Sequence, residues 1–120
     1  MAIATINPAT GETVREFDEM SADEVERRIA AAHEAWRAHR VTDFDYRSER
    51  MRAAADLLDA DADELSATMT TDMGKTRSAA RGEIAKCAKT MRFYADNAAH
   101  VLADAERDAN AVGARSAYVR

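Results

Sequence analysis

Residues 74–102, GKTRSAARGEIAKCAKTMRFYADNAAHVL, are the longest periodic stretch of the chain. The apolar residues Ala80, Ile84, Cys87, Ala88, Met91, Tyr94, Ala95, Ala98, Val101 and Leu102 follow in steps of three and four. That spacing predicts an α-helix over about 76–102, with those side chains on its core face. Cys87, mid-helix on this stripe, reads as a small buried hydrophobe. At about 100° per residue Phe93 falls on the opposite side with Gly82, Lys86 and Lys89. The helix therefore has a second surface that needs a partner, and the rest of the chain offers no clear one.

Working back from this helix, Gly74 is expected to end a preceding one, over about 61–73, in the left-handed conformation that glycine tolerates. Ala62, Leu65, Met69 and Met73 would face inward there. The acidic run Asp59 to Glu64 suits its start, where carboxylates meet the positive end of the helix dipole. A helix over about 46–59 rests on Met51, Ala54, Ala55 and Leu58. Another, over about 21–39, opens on Ser21 to Glu24, a capping box in which each side chain would serve the other residue's amide. It carries Val25, Ile29, Ala32 and Trp36 on one stripe, with Trp36 as core anchor. Residues 2–18 read as a β-hairpin about the turn Asn7-Pro8-Ala9-Thr10-Gly11-Glu12. Beyond Leu102 the alanine-rich segment to Gly113 should leave the helix, and residues 116–120 open a strand. The fold class is mainly α with an N-terminal β-hairpin.

Composition limits what such helices can do alone. Hydrophobic residues are 47% of 120, yet 28 of them are alanine, and Val, Ile, Leu and Phe together number only 17. That falls below the roughly 20% at which chains begin to depend on a partner for a core. A net charge of -5 and an isoelectric point near 5.2 argue against a nucleic-acid surface, which needs a basic patch. No apolar run reaches the roughly 18 residues that a membrane span requires. The opening MAIATINPAT lacks the features of a secretory signal, and a single cysteine excludes an internal disulfide, both fitting a cytoplasmic protein.

Candidate chemistry is sparse. His33, His39 and His100 with Cys87 match no metal-ligand spacing, so no metal site is expected. Gly74-Lys75-Thr76 resembles the end of a phosphate loop, but the earlier glycine would fall at Met69. Glu83 is expected to pair with Lys86 one turn on. Asp59, Asp61 and Asp63 alternate like a calcium loop without its glycine and final glutamate, which leaves a solvated helix start. No set of residues assembles a catalytic centre.

The order of segments resembles the N-terminal end of the aldehyde dehydrogenase superfamily, nearest its succinate-semialdehyde branch. The residues that carry the resemblance are Thr5 to Glu12, the capped helix ending near Trp36, Arg47 to Leu58 with Ala-Asp-Leu-Leu, Asp72 to Thr76, Lys86 to Lys89, and Arg92 to Ala95. The resemblance implies the N-terminal part of an α/β cofactor-binding domain, in enzymes roughly four times this length that use NAD or NADP to oxidise a small aldehyde. It places the catalytic cysteine, the general base, the oxyanion asparagine and the cofactor lysine beyond position 120. It sets Gly82, Lys86 and Lys89 on the side of the long helix that faces the substrate entrance. Cys87 is not the family nucleophile. The expected partners are then the rest of the dehydrogenase domain or a homo-oligomer, and this chain alone should neither hold a cofactor nor turn over. An independent helical interaction module using the Phe93 face is the alternative, and a thiol enzyme built on Cys87 is a third.

Overall fold

The structure, a computed structural model, describes residues 3–107 and 116–118. Residue 2 of the expected hairpin, 108–113 of the expected loop, and Val119 and Arg120 of the expected strand lie outside them. Strands β1 (Ile3–Ile6) and β2 (Thr13–Phe17) pair antiparallel, followed by helices α1 (Ala22–His39), α2 (Phe44–Ala60), α3 (Ala62–Met73) and α4 (Arg77–Val101). Strands β3 (Ala105–Arg107) and β4 (Ser116–Tyr118) then form a second antiparallel pair. The partner of the expected last strand precedes it in the chain, in a segment too short and too polar to show a period.

Side-chain caps set most of the helix starts. Ser21 Oγ accepts from the Glu24 amide at 3.2 Å, Asp43 Oδ1 from that of Tyr46 at 2.8 Å, and Thr76 Oγ1 from that of Ala79 at 3.2 Å. The Asp43 cap moves the start of α2 forward to Phe44, two residues before the expected Tyr46. Only half of the expected capping box forms, because the Glu24 carboxylate pairs with Arg27 and Arg28 instead of turning back to Ser21. α3 closes on Gly74 at φ 71°, and the hairpin turn leans on this point: a Cβ there would stand 3.1 Å from Pro8 Cγ.

α4 is the common neighbour, packed against by α2 and by α3. Among the described residues the buried ones are Ala55, Ser66, Ala80, Ile84, Ala88 and Ala95, so the helices meet over small side chains that let their backbones approach. Polar links cross the same interfaces. Ser48 Oγ donates to the Ala95 carbonyl at 2.7 Å, Arg52 pairs with Asp96 at 2.7 Å, and Arg92 reaches Asp56 at 2.6 Å and Asp59 at 2.8 Å. The hydrogen bond to Asp56, then that to Asp59, raises the pKa of the Arg92 guanidinium. Asp63 pairs with Arg81 and, at 3.9 Å, with Arg77. Asp59 and Asp63, expected to belong to a solvated helix start, thus pair with arginines of α4 while their side chains stay exposed.

Much of the expected core stays outside. Trp36, the expected anchor of α1, is 53% exposed, and no residue of α1 is buried. Met73, Tyr94, Val101 and Leu102 are exposed, and so is Cys87, against the expectation of a buried thiol. The periodicity found the stripes, but the described residues supply too few bulky side chains to cover them. The molecule is accordingly long, with extents of 71 × 40 × 27 Å and a radius of gyration of 21.5 Å. A compact chain of 120 residues would have about 14 Å.

Candidate substrate-entrance face

Gly82, Lys86, Lys89 and Phe93 lie along α4 at steps of four, three and four, away from the buried Ile84 and Ala88. All four are exposed, Phe93 by 56%. A Cβ on Gly82 would meet nothing within 4 Å, so this part of the helix is open along its backbone. Thr90 Oγ1 donates to the Lys86 carbonyl at 2.9 Å and Asn97 Nδ2 to the Phe93 carbonyl at 2.7 Å, returning two polar side chains to the helix itself. The Phe93 ring meets that of Tyr94 edge-on at 5.4 Å between centroids.

Neither Lys86 nor Lys89 forms an ion pair among the described residues. Glu83, expected to pair with Lys86, pairs with Lys75 across the α3–α4 junction. Lys75 precedes the α4 cap Thr76 and reaches forward along the helix to Glu83, a contact at a spacing of eight that the helical steps of three and four do not show. Two unneutralised cations one turn apart therefore stand on a face with an aromatic pair at one end and bare backbone at the other. Such a face attracts anions through solvent at long range and offers apolar contact at short range.

Gly74-Lys75-Thr76 does not cradle a phosphate. Gly74 is backed by Pro8, Lys75 is engaged by Glu83, and Thr76 caps α4. Among the described residues no three of His, Cys, Asp and Glu could hold a metal ion, and no helix is long and apolar enough to cross a membrane.

Sequence reasoning missed Arg47. Its Nε donates to Thr42 Oγ1 at 3.1 Å and its Nη2 to the carbonyls of His39 and Arg40 at 3.3 and 3.0 Å. It thereby satisfies the C-terminal carbonyls of α1, which ends without glycine. Among the described residues, hollows lie away from the lysine face. The first, about 670 Å³, is lined by Ala35, Trp36, Ala38, His39, Thr42 and Tyr46. A second of about 350 Å³ lies between the first hairpin and α3, and a third of about 190 Å³ between α2 and α4 beside Tyr94.

The model of the aldehyde dehydrogenase family matches residues 1–120. The NADP(+) succinate-semialdehyde dehydrogenase 1 of Mycobacterium tuberculosis (strain ATCC 25618 / H37Rv) is 52% identical over 120 residues, which is 100% of this chain and 26% of that protein. A succinate-semialdehyde dehydrogenase of Mycobacterium avium (strain 104) is likewise 52% identical, over 121 residues and 26% of its length. Among solved structures, the succinic semialdehyde dehydrogenase of Streptococcus pyogenes in complex with NADP+ superposes with a TM-score of 0.87 at 29% identity, covering 97% of this chain and 25% of that one. The succinate-semialdehyde dehydrogenase of Burkholderia pseudomallei gives 0.81 at 30% identity, over 96% and 24%. The chain spans about a quarter of the length of these relatives, at their N-terminal end.

Proposed function

The chain belongs to the aldehyde dehydrogenase family, and from that premise we propose that it is the N-terminal quarter of an NADP-dependent oxidation of succinate semialdehyde to succinate. The observation that carries this reading is the 52% identity to NADP(+) succinate-semialdehyde dehydrogenases along the whole of this chain. In the whole enzyme a thiolate attacks the aldehyde, a hydride leaves for the nicotinamide, and water releases the acid from the thioester. By the family resemblance these residues supply neither that thiolate nor the cofactor site. What they bring to the reaction is binding: Lys86 and Lys89 attract the carboxylate of the substrate at the entrance, and Gly82 leaves room beside them. The remaining three quarters of a dehydrogenase subunit is the partner, homo-oligomers form at the level of the whole enzyme, and the cytoplasm is the setting.

The test pairs two samples. The purified chain, given succinate semialdehyde and NADP, forms no NADPH, because it lacks nucleophile, base and oxyanion donors. The same chain fused to the last three quarters of the Mycobacterium tuberculosis relative forms NADPH. Turnover by the chain alone, or a folded fusion that ignores the aldehyde, overturns the reading.

A further inference from the structure

We propose that Arg92 is a positioning residue for the lysine face: by taking up Asp56 and Asp59 of α2 it keeps those carboxylates off Lys89, and so leaves that lysine free to attract the substrate's carboxylate. This rests on the role of the lysine face proposed above. Lys86, Lys89 and Arg92 recur every three residues along α4. Each is therefore turned about 60° round the helix from the one before, and the row runs from the open face toward α2. Arg92, its last member, holds two acids: its Nη2 stands 2.6 Å from Asp56 Oδ1 and 2.8 Å from Asp59 Oδ2. Lys86 and Lys89 form no ion pair among the described residues.

The acids call for a cation, and the row offers a second one. Asp56 and Asp59 lie one turn apart on the same side of α2, where like charges repel unless a cation stands between them. Lys89 sits one turn before Arg92 on α4, at a spacing that sets Cβ atoms about 5–6 Å apart. Its stem is long and flexible, so in the absence of Arg92 it is the next cation along α4 to meet the pair. Even short of contact, two carboxylates without a cation offset the attraction of the lysines for an incoming anion, since charges within roughly 8–10 Å are poorly screened by salt.

The role is one of charge because other contacts hold α4 on α2. Ser48 Oγ donates to the Ala95 carbonyl at 2.7 Å, Arg52 pairs with Asp96 at 2.7 Å, and Ala55, Ala88 and Ala95 form the buried seam. An exposed ion pair adds little to such packing. Loss of the guanidinium therefore alters the surroundings of Lys89 more than the position of the helix.

The experiment observes Lys89 first directly and then through turnover. The lysines of the chain are Lys75, Lys86 and Lys89, so reductive methylation with isotope-labelled formaldehyde gives one side-chain resonance for each, that of Lys89 being the one lost in Lys89→Arg. In Arg92→Gln the Lys89 resonance should shift while that of Lys75 stays, and Arg92→Gln/Asp56→Asn/Asp59→Asn should return it. In the fusion to the last three quarters of the Mycobacterium tuberculosis relative, Arg92→Gln should raise KM for succinate semialdehyde about threefold to fivefold at low ionic strength, with kcat and the KM for butanal unchanged. Arg92→Lys and the triple variant should both stay within about twofold of the original, the first because it restores the cation and the second because it removes the acids. An equal rise in KM for butanal, a triple variant as impaired as Arg92→Gln, or a Lys89 resonance that does not move overturns the role. If Arg92→Gln does not fold, Asp56→Asn/Asp59→Asn decides: a KM for succinate semialdehyde no higher than the original supports the role, and a raised one refutes it. A fusion that folds but does not oxidise succinate semialdehyde sinks the proposed function, and the Lys89 resonance then still decides whether Arg92 keeps that lysine free.

Discussion

Gly82 interrupts an otherwise strong helix former, and nothing lies within 4 Å of the place where its Cβ would be. In this chain Gly82→Ala should therefore raise stability by about 0.5–1 kcal/mol, because alanine has less conformational freedom to lose on entering a helix. A urea titration followed by helical circular dichroism reads the shift, and a destabilised variant would show that the site is not open. Lys86 and Lys89 are tested by charge. In the active fusion, Lys86→Gln/Lys89→Gln should lower kcat/KM for succinate semialdehyde about threefold to tenfold at low ionic strength and leave butanal unaffected, since only the former carries an anion to steer. Equal losses for both aldehydes would assign the lysines to structure. At this scale the sequence showed the four residues on one side of α4 but not their lack of partners. The pairing of Glu83 with Lys75 joins a residue outside α4, ahead of its cap, to one inside it, which the spacing along the helix itself does not contain.

The helices differ sharply in how they are held. α2 and α4 meet over Ala55, Ala88 and Ala95, with Ser48 and Arg92 bridging them, whereas α1 is tied through Arg47 at one end and buries nothing. Ala55 has no exposed surface, so Ala55→Leu should cost about 1–3 kcal/mol by forcing α2 from α4. Ile29→Ala, on exposed α1, should change the chain's stability by less than about 0.5 kcal/mol. Urea midpoints of the two variants compare them directly, and equal losses would mean that α1 packs on the other helices. The capped starts of α1 and α4 and the glycine stop of α3 were legible because each is a local hydrogen bond or a local φ. The bridges from Arg92 to Asp56 and Asp59 were not, since they join residues more than thirty positions apart with no pattern linking them.

The whole molecule is long because its helices lack the bulk to close on one another. Among the described residues, sixteen large apolar side chains remain at least 41% exposed while the buried ones are mostly alanine. Small-angle scattering from dilute monomer should give a radius of gyration near 21.5 Å; a value near the roughly 14 Å of a compact domain would contradict this arrangement. Helix and hairpin placement, the stripes along each helix, the thin core and the kinship to aldehyde dehydrogenases all came from residue order, because period, capping and motif spacing are properties of neighbours in the chain. The exposure of Trp36 and Cys87, the partner of the last strand and the cations left without acids came from the packing. A stripe says which side of a helix is apolar; only the assembled helices say whether enough surface exists to cover it.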